Sequence, residues 1–360
     1  MQKMMVGPVR REVMAQKSSP VLSAELNQTL HAIGLRLKQQ LPVESSPLAA
    51  ALRLLDALPP GVVAKADGLI RVGARLNYWG EPERGLLDRL FAPKLTDFDQ
   101  LERQPGLKYL FIFHADGRIR EAALQKMVEP MPSPFIFAAV AWRLNDWAAP
   151  VRKAAVECGR RTFPATASEV VAGAATELLA REGSWRRWGR ERTVLDEAFG
   201  RPDVAAQIAD RIAGMRIGPA TTALRHALRR NGLDRHLQRL SREAFQPGVR
   251  SLAFQALIDG HSSQQTGFDW QWIDKPMGIR RRVPTFELRP LAESAPRKAM
   301  IIAGLSDRSA AVRKTALDGL IRYRVEIPEA AELAAPALGD RIASVRERAE
   351  FILRTSTKPA

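Results

Sequence analysis

The chain has 360 residues, with 55 Lys and Arg against 39 Asp and Glu and a formal charge of +16. A composition 46% hydrophobic and 26% charged excludes a disordered chain, and the lone Cys158 excludes an internal disulfide framework or a Cys-based zinc site. No run of about 18 apolar residues is present to span a membrane, and only 3 Tyr beside abundant Ala and Leu favour helix over strand.

Met1 to Gln16 lacks an apolar segment followed by a cleavage site, so no signal peptide is expected and a cytoplasmic protein is. Lys3, Arg10, Arg11 and Lys17 make residues 1–19 a basic N-terminal arm. Four helices are predicted within residues 20–107. The first runs from about Val21 to Gln40; the second opens at Ser46-Pro47 and closes at Pro59-Pro60-Gly61. The third passes through Ile70, Arg71 and Ala74 to about Tyr78, and the fourth follows Glu81-Pro82 through Leu86, Leu87, Leu90 and Phe91. They share no period, so they read as an N-terminal helical cap, with a separate small domain as the alternative and 93–107 as a connection.

From Lys108 a regular array begins. A (Val/Ile)-Arg-x-x-Ala marker stands at Ile119-Arg120, Val151-Arg152, Val249-Arg250, Val312-Arg313 and Val345-Arg346, and the gaps approximate multiples of a unit of about 32 residues. Degenerate copies at Trp185-Arg186, Pro219-Ala220 and Ile279-Arg280 fill the long gaps. Val312, Ala316 and Leu320, like Val345, Ala349 and Leu353, form one apolar stripe on a helix, which must be buried by stacking. Helix pairs are expected near 108–130, 134–162, 167–190, 194–230 and 234–257, and again from about Pro296 to Arg354, with a frayed tail at 355–360. The solenoid thus covers 108–354, interrupted by an irregular insertion at 261–291. Phe268, Trp270 and Trp272 alternate, Gly278 supplies a turn and Pro284 would break a helix, so a short β-hairpin near 266–284 carried by a degraded repeat is expected.

Asp146, Asp307 and Asp340, with Asp274 as a weaker copy, stand five residues before a marker Val or Ile, and the Asp-x4-Val-Arg-x-x-Ala unit resembles a HEAT repeat of the short kind also seen in phycobilisome-lyase-like proteins. The resemblance implies an all-α, right-handed solenoid of about seven or eight helix pairs. It also implies that Arg152, Arg313 and Arg346 act structurally with those aspartates. Arg250 and Arg186 lack the Asp, Ala244 standing in its place before Arg250, and are read as freer to face a ligand.

No cofactor motif is present, and His31, His114, His226, His236 and His261 form no His-Glu or His-x3-His pair, so no metal site is expected. The basic excess centres on residues 183–250, where every basic residue is Arg. Guanidinium forks suit phosphates and flat rings. Arg186, Arg187, Arg190, Arg192, Arg225, Arg229, Arg230 and Arg250 are therefore candidate nucleic-acid contacts on a concave face. Trp185 and Trp188, placed at i and i+3 of a predicted helix, join them as a stacking platform if exposed and as core filling if buried.

Two alternatives stand beside a non-catalytic nucleic-acid-binding solenoid. One is a protein–protein scaffold for an acidic partner, docking in the solenoid groove or on the insertion through Phe268, Trp270, Trp272, Arg280, Arg281 and Arg282. The other is a hydrolase: the chain is similar in repeat type and charge to the HEAT-like alkylpurine DNA glycosylases, which implies a cleft with tryptophans and a carboxylate. Trp142 and Asp146 are the nearest such pair, but Asp146 already occupies the structural Asp position.

Overall fold

The computed structural model describes residues 21–77, 95–293 and 295–356. Among them, seven helix pairs follow one another. They are Lys108–Phe111 with Gly117–Gln125, Pro134–Arg143 with Ala149–Thr162, Ser168–Arg181 with Thr193–Gly200, and Pro202–Gly214 with Ala220–Ala227. Leu237–Glu243 with Pro247–Asp259, Arg297–Leu305 with Ala310–Arg322, and Ala330–Ala334 with Ala343–Ser356 complete the stack. Polar caps and prolines start several helices: the Ser133 hydroxyl accepts from the Ile136 N–H at 3.3 Å, with Pro134 in the first turn.

Each second helix carries an apolar stripe that its own partner cannot cover, and stacking covers it. Val151 and Ala155, then Val312, Ala316 and Leu320, then Val345 and Ala349 are all buried. In the last pair the stripe ends on buried Ile352, and Leu353 is only half-buried. Pro247–Asp259 packs on Ala310–Arg322, which packs on Ala343–Ser356, while Pro134–Arg143 packs on Ser168–Arg181 and that on Pro202–Gly214. The architecture is an all-α, HEAT-like solenoid with one two-stranded sheet.

An arginine ladder runs through the stack. The guanidinium of Arg120 holds both oxygens of Asp146 at 3.0 and 2.7 Å, that of Arg250 holds Asp307 at 2.8 and 2.9 Å, and that of Arg313 holds Asp340 at 2.6 and 3.0 Å. In each case the aspartate belongs to the following repeat. The remaining guanidinium nitrogen turns back to a carbonyl six residues upstream, as Arg152 does to Asp146 and Arg313 to Asp307. Each aspartate also accepts from the N–H two residues on, Ala148, Ser309 or Ile342. The Asp-x4-Val-Arg spacing is therefore fixed twice, by a local turn and by the next repeat.

The ladder also explains the longest irregularity. Arg120 and Asp146 are 26 residues apart and Arg313 and Asp340 are 27, but Arg250 and Asp307 are 57 apart. The excess of 30 is the length of the hairpin from His261 to Pro290. Gly260, in the left-handed region at φ 73°, ends one helix and admits β1 (His261–Asp274); Gly278, at φ 68°, turns the chain into antiparallel β2 (Ile279–Pro290). The gap between Val249 and Val312 is one repeat plus an insertion, not two repeats.

Several expectations are corrected accordingly. Ile279-Arg280 and Asp274 lie in strands and belong to no repeat. The hairpin extends to 261–290, beyond the expected 266–284, and Pro284 pairs with Phe268 within it. The segment 194–230 holds three helices, because Gly200 and Pro202 break the first. Within the expected connection 93–107 lies the helix Asp97–Arg103, started by a Thr96–Asp99 capping box.

Ala24–Lys38, Ser45–Asp56 and Val63–Gly73 pack together, and the latter two lie on Pro134–Arg143. Asp67 bridges Arg71 at 2.6 Å and Arg143, joining these helices to the buried Arg143–Asp146–Arg120 network. The arm at 1–19 and the fourth predicted helix at 81–91 lie outside the described residues, as do residues 357–360; Thr355 and Ser356 are still helical. Among the described residues, no single helix is long and apolar enough to cross a membrane.

Candidate nucleic-acid interface

The two groups of candidate residues meet at the root of the hairpin. Its base is bolted to the stack through Asp234, a buried carboxylate that accepts from Arg289 at 2.7 and 2.8 Å and from the Ala292 N–H at 2.8 Å. Arg289 also donates twice to the Leu228 carbonyl, the Ser262 hydroxyl donates to the same oxygen at 2.9 Å, and Gln264 donates to the Arg225 carbonyl at 2.5 Å. A two-stranded ribbon alone is marginal in water, so this root holds the arm in place. A cleft of about 630 Å³ lies between the root and the arginine segment, lined by Arg192, Arg229, Arg230, Thr266 and Arg289. Arg225 lines a second cleft of about 290 Å³, between the other side of the root and Pro247–Asp259.

Beyond the root the arm is two-faced. Phe268 opposes Pro284, Trp270 opposes Arg282, and Trp272 opposes Arg280, so these six share one face. Phe268, Trp270 and Trp272 are 52, 53 and 48% exposed. The Arg282 guanidinium lies 4.1 Å over the Phe268 ring, and that of Arg280 lies 4.4 Å over Trp270 and 5.8 Å over Trp272. Phe286 and Leu288, also exposed, continue this face towards the root. They were not among the sequence candidates, although the period of two through Arg280, Arg282, Pro284, Phe286 and Leu288 marks them. Arg281 points to the opposite face and donates to the Gln271 side chain at 3.0 and 2.8 Å.

The arginines of 183–250 divide into two sets. Glu182, a buried carboxylate, gathers Arg192 at 3.2 Å, His226 at 3.0 Å and Arg229. Asp196 takes Arg230 at 2.7 Å, and burial raises its carboxyl above the ordinary value although Arg230 and Arg192 oppose the shift. Arg186, Arg187, Arg190 and Arg225 are exposed and have no carboxylate partner among the described residues; the same holds for Arg280, Arg281 and Arg282 on the arm.

Arg250 is a correction. It is 1% exposed and saturated by Asp307 and the Ala244 and Phe245 carbonyls, so it cannot touch a ligand. Its partner lies one repeat ahead, and the missing Asp at Ala244 is irrelevant to it. Of the two alternatives for Trp185, the core holds it: it is 8% exposed, meets Trp142 edge-on at 5.5 Å and packs at a tilt against Trp188 at 4.6 Å. Residues 185–189 are not helical, so the two tryptophans share no helix face; Trp188 is half-buried, with Arg192 5.5 Å over its ring.

The carboxylate that a glycosylase-like reading would use is engaged. Burial pushes Asp146 upward, but hydrogen bonds from Arg120 and the Ala148 N–H and the charges of Arg143 and Arg120 outweigh it and hold the carboxyl below its usual range. Burial pushes the Cys158 thiol up to about 11, which leaves it an inert core side chain.

A stack of helix pairs tied by a repeating arginine–aspartate ladder, with a bolted hairpin arm, defines a helical-repeat scaffold. Residues 131–158 match the repeat family described as the HEAT repeat associated with sister chromatid cohesion, and that stretch contains Asp146, Val151 and Arg152. No curated protein matches the chain.

Proposed function

We propose that this HEAT-repeat protein is a non-catalytic nucleic-acid binder that grips phosphates beside and along the hairpin. The observation that carries the reading is the set of unpaired arginines. They are close-set as well as unpaired: Arg186, Arg187 and Arg190 on one short segment and Arg280 to Arg282 on the arm, with Arg225 at the root, have no carboxylate among the described residues, whereas exposed arginines of the C-terminal repeats such as Arg308, Arg324 and Arg341 stand singly. A guanidinium left without an internal anion is suited to a phosphate.

The test is a binding titration at several salt concentrations. Affinity should fall linearly with the logarithm of salt, by about 0.9 per phosphate contacted on duplex DNA. The Arg186→Glu, Arg187→Glu, Arg190→Glu variant should bind more weakly to all sequences alike and with a shallower slope. A charge-matched control reversing Arg308, Arg324 and Arg341, exposed residues of the C-terminal repeats, should change affinity far less. Equal affinity and slope for the wild type and the folded 186/187/190 variant would sink the reading.

A second reading, a scaffold for an acidic protein, is favoured by the apolar tip of the arm, where Ile273, Met277 and Ile279 are exposed beside Trp272. It takes precedence if the wild type binds no nucleic acid at low salt.

A further inference from the structure

Resting on the nucleic-acid reading, we infer that the hairpin arm takes an unpaired strand, whose bases stack on Phe268, Trp270 and Trp272 while Arg280 and Arg282 reach its phosphates. Three features of the arm point to this occupant.

The first is spacing. Same-face residues of a strand recur every second position, so the three rings stand about 6.8 Å apart along β1. Bases in a duplex are stacked at about 3.4 Å and leave no room for a ring between them. A single strand with splayed bases matches the wider interval, and single strands are recognised by stacking on aromatic rings in this way.

The second is the chemistry of the face. A two-stranded ribbon that reads duplex DNA from the major groove presents hydrogen-bonding side chains to base edges. This face presents Phe268, Trp270, Trp272, Pro284, Phe286 and Leu288, and beyond the root its side-chain hydrogen-bonding groups are donors only, the two guanidinium groups and the two indole N–H groups, with no acceptor to read a base edge. The polar residues Asp269, Gln271 and Arg281 lie on the opposite face.

The third is charge. Arg280 and Arg282 rest over the rings and form no ion pair among the described residues. A base taking a ring face releases the guanidinium to a phosphate of the same strand; an exposed cation–π contact is weaker than a stacked base. An apolar protein surface would bury these guanidinium groups without an anion, which is unfavourable. Towards the root this face ends on Phe286, which lines the second cleft together with Arg225, so a backbone contact at Arg225 and base contacts on the arm lie on one side of the ribbon.

The experiment compares a labelled single strand of mixed sequence with the duplex of the same sequence, by fluorescence anisotropy at several salt concentrations. The proteins are the full chain, Trp270→Ala/Trp272→Ala, and Trp147→Ala as an exposed tryptophan far along the chain from the arm. The wild type should prefer the single strand by about tenfold or more. The double variant should lose on the order of tenfold per ring on the single strand, keep its salt slope and bind duplex unchanged, while Trp147→Ala matches the wild type. Equal binding of duplex and single strand, or a single-strand preference that survives the double variant, overturns the inference and leaves the phosphate-binding reading standing. Failure of the wild type to bind either at low salt overturns both.

Discussion

Between Pro247 and Ser356 each marker arginine that has a following repeat meets an aspartate of that repeat: Arg250 meets Asp307 and Arg313 meets Asp340. Between Ser168 and His236 the ladder is broken. Arg152 enters this region by reaching Glu191 at 3.2 Å, Arg186 is not helical, and Glu182 and Asp196 gather Arg192, Arg229 and Arg230 from two separate segments. The contrast shows how one repeat serves two ends. Where the aspartate is kept, it holds the arginine and stabilises the stack, with Arg250 buried and Arg313 partly so; where it is lost, arginines regroup around other carboxylates or stay exposed without one among the described residues.

The largest effect should come from breaking the ladder at a buried arginine. Asp307→Ala leaves Arg250 uncompensated in the interior, at an expected cost of about 3–5 kcal/mol, with loss of the repeats from Arg297 onward. Asp196→Ala, whose partner Arg230 is exposed, should cost about 1 kcal/mol or less. Denaturant melts of the two variants check this, and equal costs would erase the distinction between the regions.

Acid should act with opposite sign on Asp307 and on Asp196. Burial pushes Asp307 up, but Arg250, the Ser309 N–H and the nearby charges prevail, and Asp340 is lowered chiefly by Arg313; both carboxyls sit below 3.8. Their contribution is complete above that value and is lost as pH falls through their lower folded values. Asp196, held above 3.8 by burial, takes up its proton earlier in the folded state, so acidification first favours its region. Denaturant midpoints over falling pH should therefore show a weaker acid loss for Asp307→Asn, and Asp196→Asn should lack the gain that protonation of Asp196 gives the wild type.

The smallest effect on stability is expected from removing the arm. Gln264 and Glu287 face each other, so an Asn-Gly turn can join them in place of residues 265–286 while the root bonds to Asp234, Leu228 and Arg225 remain. Because Pro247–Asp259 packs directly on Ala310–Arg322, unfolding free energy should change by less than about 1 kcal/mol. A larger loss, read from the melting curve, would mean that the arm supports the stack.

Much of this was legible along the chain. The stripes Val312-Ala316-Leu320 and Val345-Ala349 announce helices that must stack, and the alternation of Phe268, Trp270 and Trp272 before Gly278 announces a hairpin, because helix and strand periods are local properties of a few consecutive residues. What the tertiary structure decided is who meets whom. Arg250 looks unpaired in sequence because its partner Asp307 stands 57 residues away, beyond an inserted arm; only the packing of successive repeats makes them neighbours. Trp185 sits among arginines in the sequence, yet Trp142, on the preceding first helix, draws it inside. An ion pair or a buried ring is set by distance in space, which periodicity does not encode, and so the chain specified its repeats while the stack selected which arginines stay exposed.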